Sequence, residues 1–342
     1  GQTGERGSPV RGGPGAPGLT VRSEFDLIGT YFARCGARRA DVRLGIGDDC
    51  ALLEVPAGQE LAASVDTLVA GVHFFPDMEP EALGHRALAV NLSDLAAMGA
   101  DPTWATLALT LPQADPAWLG AFARGFCALA GQHQLQLVGG DTTRGPLTIT
   151  VQVQGVVPAG QAMRRSAARP GDRIYVTGTL GDASLALKYL AQGSPPAPES
   201  DILRRLERPV PRVAEGQALR AWAHAAIDVS DGLVADLGHI LVASGVGAEL
   251  WLERLPLSPP VRSYLQSCAD WAVPLCGGDD YERCFTAPER HHRLLEVLHN
   301  NFKCGLPLIG RITESYGLRC VLPNRGTWTP ARCGYDPFAD AP

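Results

Sequence analysis

Two adjacent carboxylates, Asp48 and Asp49, follow two glycines in VRLGIGDDCALLEVP, where apolar positions otherwise alternate as in a half-buried strand. Five more aspartates stand in equally apolar settings. Asp66 lies in LAASVDTLV, Asp94 in HRALAVNLSDLAAMG, Asp141 after two glycines in LVGGDTTRG, and Asp228 and Asp231 in AIDVSDGL. An ionised carboxylate buried without a partner costs several kcal/mol even after relaxation. Lysine is not the general partner, since the chain has only Lys188 and Lys303, both remote in sequence from these stretches. Arginine is sparse around them: Arg86 precedes Asp94 and Arg144 follows Asp141. A hard divalent cation, Mg²⁺, Mn²⁺ or Ca²⁺, is the simpler partner, because the donors are oxygens and histidines are few. Taken singly, each aspartate also fits a plainer role. Asp48 or Asp49 could hold a turn, Asp94 could face solvent, and Asp228 or Ser230 could cap the helix that starts near Asp231.

Acidic metal ligands in number suit phosphoryl transfer, whose donor and acceptor repel: two unit charges about 4 Å apart cost about 4 kcal/mol at an effective dielectric of about 20. The usual nucleotide motifs are missing. There is no G-x-x-x-x-G-K-[ST] loop and no H-R-D with D-F-G, and GIGDDC meets only part of G-x-G-x-x-G. A nucleotide site in this chain would therefore rest on carboxylate-held metal and on the backbone amides of glycine turns. A Ca²⁺-binding module without turnover is the reading from another class, although the acids do not follow the spacing of an EF-hand loop.

The chain has 342 residues, enough for about two domains. Its hydrophobic fraction of 45% supports sizeable cores, and its net charge of −6, with scattered arginines, argues against nucleic acid or a membrane surface as partner. No apolar run reaches the roughly 18 residues of a membrane span, so a soluble cytoplasmic protein is expected. The nine cysteines are odd in number and form no C-x-x-C pair. They are expected as buried free thiols rather than a disulfide framework.

The elements that must position the carboxylates follow from periodicity. Residues 1–22 are rich in Gly and Pro and are expected to be a disordered leader. Residues 23–158 read as one α/β unit: a helix around EFDLIGTYFARCG, strand-like runs over 41–55 and 60–69, a long helix at 80–99, a strand in WATLALTLP, and a helix in PAWLGAFARGFCALAGQH. Two more strands follow in LQLVGGDTTRG and LTITVQVQGVV. A second unit, 159–342, alternates helix and strand and is interrupted by the Pro- and Ser-containing loop 191–200.

Six stretches in order, LGIGDDCALL, DTLVAGVHF, ALAVNLSDLAAMGADP, LVGGDTTRGPL, AIDVSDGL and GGDDYE, resemble the thiamine-monophosphate kinases of the aminoimidazole-ribonucleotide-synthetase superfamily. The resemblance runs from about residue 23 to the end. It implies transfer of the ATP γ-phosphate to thiamine monophosphate with several Mg²⁺ ions. It also implies an α+β N-terminal domain that joins a second copy in a barrel-like homodimer core, an α/β C-terminal domain, and an active site between the two. Aminoimidazole ribonucleotide synthetase, which uses ATP on another substrate, is the alternative inside the superfamily.

Carried over by motif, Asp49, Ser64, Val65, Asp66, Asp94, Asp141, Asp228 and Asp231 would hold metal, and Gly140, Asp141, Arg165 and Ser230 would meet ATP. His73, Asp279 and Tyr335 would contact thiamine monophosphate. No general base is implied. Two positions depart from the family pattern: Val65 stands where Thr is common, and Asp279 stands where Glu is usual. Val65 keeps a ligand only if that ligand is the backbone carbonyl.

Overall fold

The computed structural model describes residues 24–330 together with 333 and 334. The leader 1–22 and Tyr335 lie outside the described residues.

Alternation of apolar residues builds a four-stranded sheet of order β3-β6-β4-β5 from Gln59–Val69 (β3), Asp101–Leu111 (β4), Gln136–Arg144 (β5) and Thr148–Pro158 (β6). β6 runs antiparallel to β3 and β4, and β5 runs parallel to β4. Pro80–Met98 (α2) and Pro116–Gln132 (α3) cover one face, with Leu83, Leu88, Leu92, Phe122 and Phe126 almost fully buried between them. The Glu79 carboxylate accepts the backbone N–H groups of Glu81 and Ala82, Pro80 occupies the first turn, and Gly99 ends α2 in the left-handed conformation. α2 is apolar almost all round because neighbours enclose it: the sheet, α3, and the second unit's Val213–Leu219 (α6) and Ala225–Val229 (β8).

Two expectations in this region are corrected. The strand-like run over 41–55 is a strand only at its ends, Val42–Leu44 (β1) paired antiparallel with Leu52–Leu53 (β2); residues 45–51 leave as a loop. The Asp48 Oδ1 atom accepts the Asp49 N–H at 2.8 Å, a side-chain turn that competes with strand pairing. The first helix, expected to reach residue 36, is the short Glu24–Leu27 (α1) followed by a π-helical turn, Ile28–Phe32.

The second sheet has seven strands in the order β13-β12-β9-β11-β7-β10-β8. The remaining strands are Arg173–Val176 (β7), Gly247–Trp251 (β9), Glu282–Ala287 (β10), Leu308–Thr313 (β11), Gly317–Val321 (β12) and Thr327–Trp328 (β13). Neighbours are antiparallel except β12, which runs parallel to β9. The helices of this unit are Asp182–Ala191 (α4), Asp201–Glu207 (α5), α6, Leu233–Ser244 (α7), Pro259–Cys268 (α8), Ala272–Cys276 (α9) and His292–Asn301 (α10). The loop between α4 and α5 is exposed, as its composition predicts. No described helix is long and apolar enough to cross a membrane.

The cysteines also depart from expectation. Cys35 and Cys127 are paired as a disulfide with Cα atoms 4.8 Å apart, and so are Cys276 and Cys333, 4.7 Å apart. Cys50 and Cys268 are exposed, whereas Cys284 and Cys320 are the buried thiols expected. The pairs are 92 and 57 residues apart in sequence, so only the chain's path brings them together.

Candidate active site

A cleft of about 1180 Å³ opens between α2 with its sheet and the second unit. It is lined by Asp66, His73, Asp94, Asp228, Ser230, Asp231 and Asp279, seven of the residues singled out in the sequence. Asp49, Gly140 and Asp141 line a separate hollow of about 410 Å³ beside β5. The expected ligand set is thus divided in two, and among the described residues no three His, Cys, Asp or Glu side chains converge closely enough to grip one ion. Uncompensated carboxylates repel one another, and Asp94 and Asp228 are each met by a local serine hydroxyl.

Those bonds follow from strand and helix periodicity. On β3, Ser64 and Asp66 point toward α2, and Val65, 57% exposed, points to the opposite face. The Val65 side chain therefore takes no part in the cleft, and only its backbone carbonyl remains as a donor. Ser64 Oγ donates to Asp94 Oδ2 at 2.5 Å, which rules out the solvent-facing role for Asp94. The Asp66 N–H donates to Asn91 Oδ1 at 3.0 Å, and Ser93 Oγ donates to Asp228 Oδ2 at 2.8 Å. Asn91 and Ser93 were not singled out above; their signal is that they are polar, beside Asp94, in an otherwise apolar helix.

β8 ends at Val229, and the turn through Gly232 carries Ser230 and Asp231. Neither Asp228 nor Ser230 caps α7. Asp236 instead accepts the N–H groups of Asp231 and Gly232 at 2.9 and 3.1 Å, fixing the turn from inside the helix. Gly278 has no room for a side chain, since a Cβ there would stand 2.3 Å from the Ser230 carbonyl oxygen. The same holds at Gly140, whose Cβ would meet the Leu107 carbonyl oxygen at 1.9 Å where β5 passes β4.

The electrostatics are those of desolvated anions short of counter-charge. Burial raises Asp94 to about 6, opposed by the Ser64 hydroxyl and reinforced by the charge of Asp66. Burial and then the charge of Asp94 raise Asp228 to about 6. Asp66 is raised by burial and by Asp228 and Asp231, and burial also raises Asp231. Asp236 is pushed up to about 7, mainly by burial. Four carboxylates from two units therefore feel one another across the cleft. Arg165, in the turn before β7, favours the ionised forms of Asp94, Asp228 and Asp231. Oxygen donors of this kind, few of them neutralised, fit hard divalent cations.

His73 Nδ1 accepts the Val69 N–H at 3.0 Å, which assigns the ring proton to Nε2. Asp279 is committed on one oxygen: Oδ1 receives Arg86 Nη2 at 2.7 Å and the Tyr281 hydroxyl at 3.1 Å.

Comparison with known proteins agrees with this geometry. Residues 47–157 match the family AIR synthase related protein, N-terminal domain, and residues 169–322 match AIR synthase related protein, C-terminal domain. The chain is 49% identical over 323 residues to the thiamine-monophosphate kinase of Salmonella typhimurium, covering 92% of this chain and 98% of that one. The Bacillus subtilis thiamine-monophosphate kinase is 36% identical, covering 87% and 94%. Among solved structures, the thiamine-monophosphate kinase of Stenotrophomonas maltophilia superposes with a TM-score of 0.79 at 49% identity, over 82% of this chain and 92% of that one. AaThiL complexed with AMPPCP and TMP superposes with a TM-score of 0.71 at 30% identity, over 83% and 89%. The Escherichia coli hydrogenase maturation protein HypE, at 22% identity and a TM-score of 0.75, shares the fold alone. With both domain matches and about half its residues identical to such relatives, the chain belongs to the thiamine-monophosphate kinase family of AIR synthase related proteins.

Proposed function

We propose that this chain phosphorylates thiamine monophosphate to thiamine diphosphate with ATP as donor. The observation that carries the reading is the group of mutually repelling carboxylates, Asp66, Asp94, Asp228 and Asp231, around one cleft. It stands in a chain 49% identical to thiamine-monophosphate kinases. The solved structure of a relative, AaThiL, is complexed with AMPPCP and TMP.

Asp66, Asp94, Asp228 and Asp231, with Ser64 and the Val65 carbonyl, would hold Mg²⁺ in the cleft, and Asp49 and Asp141 would hold it in the neighbouring hollow. Bound Mg²⁺ would neutralise charge on the transferring phosphoryl group. The chain's own groups do the rest. Arg165 presents a planar fork to phosphate oxygens, and the backbone at Gly140 and the Ser230 hydroxyl add donors without charge. His73 and Asp279 line the same cleft and would contact the acceptor. The acceptor phosphate is already anionic, so its oxygen attacks the γ-phosphorus in line while the bond to the β,γ-bridging oxygen breaks and ADP leaves, and no general base is needed.

A homodimer belongs to the same reading. Leu61 and Val65, 51% and 57% exposed on the uncovered face of the first sheet, are apolar surface that a second copy would cover. The deciding experiment is chromatographic resolution of products from ATP, Mg²⁺ and thiamine monophosphate. Thiamine diphosphate formed in step with ADP supports the reading, and nucleotide binding without that product overturns it.

A further inference from the structure

Arg86 is 2% exposed, and a guanidinium buried that deeply needs every available partner. Its Nη1 atom donates to the Leu206 carbonyl oxygen at 2.5 Å and its Nη2 atom to Asp279 Oδ1 at 2.7 Å. Its Cζ atom lies 5.8 Å from the centre of the Tyr281 ring, and the Tyr281 hydroxyl donates to the same Asp279 oxygen. Arg86 and Ser93 are seven residues apart, two helical turns, and so share one stripe of α2. Ser93 reaches Asp228 and Arg86 reaches Asp279.

The segment that Arg86 grips is held in an unfavourable conformation. Asp279 and Tyr281 have φ of 68° and 49°, the left-handed region that side chains other than glycine rarely adopt. Their N–H groups donate to the carbonyl oxygens of Ser230 and Val229, both at 2.8 Å. Such strain persists where surrounding contacts over-determine it, and it collects at ligand sites. Because both side-chain bonds fall on Oδ1, Asp279 Oδ2 remains available at the cleft wall. The Arg86 charge also offsets that of Asp279, so an incoming phosphate anion is not repelled.

We propose that Arg86 is a positioning residue for the acceptor substrate: from α2 it locks Asp279 into the orientation that receives thiamine monophosphate. The assignment rests on the kinase reading above. Nucleotide recognition does not pass through this pair, so the two substrates separate under mutation. Lysine cannot reproduce a fork that meets the Leu206 carbonyl and Asp279 together.

The test is steady-state kinetics of the full-length protein with Arg86→Lys, Arg86→Met, Asp279→Asn and the double variant Arg86→Met with Asp279→Asn, each checked for an intact thermal transition. Arg86→Lys is expected to raise KM for thiamine monophosphate by roughly ten-fold, with kcat and the KM for ATP within about two-fold of wild type. The double variant is expected to be less impaired than the product of the single effects, because the two residues act as a unit. Equal changes in both KM values, independent effects in the double variant, or lowered melting temperature with unchanged kinetics would each overturn the role of Arg86. Wild-type protein that forms no thiamine diphosphate overturns the kinase reading itself, and this assignment with it.

Discussion

Ser93 Oγ and Asp228 Oδ2 meet at 2.8 Å, joining the long helix of the first unit to the strand end that carries the second unit's acidic residues. Asp228 is 4% exposed and raised to about 6, so this hydroxyl is one of few groups offsetting its desolvation. Ser93→Ala should cost about 1–3 kcal/mol, the penalty of leaving a buried acceptor unsatisfied, as read by urea unfolding. Turnover should fall with it.

Asp228→Asn and Asp94→Asn should separate stability from activity. Each removes a buried charge from a repelling group, so the metal-free protein should melt at the same or a higher temperature. kcat should fall by orders of magnitude. Asp49→Asn and Asp141→Asn should lower kcat comparably with the fold intact; near-normal turnover in either would count against their place in the reaction.

Metal and pH should be linked at this site. Asp94 and Asp228 have ordinary values of 3.8 and are raised to about 6 in the folded protein. An acid raised on folding holds its proton more tightly in the folded state, so its contribution to stability is present below about pH 4 and is lost as pH rises to about 6. Relative to Asp228→Asn, metal-free wild type should therefore lose melting temperature across that window. Millimolar Mg²⁺ should restore it, and more at pH above 6 than below. Calorimetric scans at several pH values, with and without Mg²⁺, decide the point.

Glu282 carries the opposite dependence. It is fully buried, with Arg212 Nε and Nη2 each at 2.6 Å, Thr177 Oγ1 at 2.5 Å and Arg205 in contact. Although burial opposes ionisation, the two guanidinium groups hold its carboxyl below the ordinary value. Its stabilisation is present above that ordinary value and is lost as pH falls through the lower one. Glu282→Gln should destabilise by about 3–5 kcal/mol, since two largely buried arginines then lose the carboxylate they share.

The uncovered sheet face offers a mechanical test of assembly. Val65→Arg places a charge at a position 57% exposed in the single chain. It should leave the monomer's stability within about 0.5 kcal/mol and shift a dimer toward monomer in sedimentation. A wild-type monomer at micromolar concentration would remove the dimer from the proposal.

Much of this was legible in the amino-acid sequence because it depends on local pattern. Strand-like apolar runs placed the sheet strands around Asp66 and Asp141, and the apolar run over 80–99 placed α2 almost to the residue. Apolar surroundings alone marked Asp66, Asp94 and Asp228 as burdened carboxylates, and their raised values agree. Strand period also turns the Val65 side chain away from the helix that its neighbours Ser64 and Asp66 face.

What the sequence by itself determined is therefore most elements of the first unit, the acidic residues, and the family they mark. The tertiary structure alone decided which of them meet. Arg86 stands eight residues before Asp94, yet its charge is used by Asp279, 193 residues away, because α2 docks against the second unit there. Asp49 and Asp141 line one hollow while Asp66, Asp94, Asp228 and Asp231 line another. Cys35 finds Cys127 across 92 residues. Side-chain period is a property of a few consecutive residues, whereas charge pairing and burial depend on distances that only the packed chain sets.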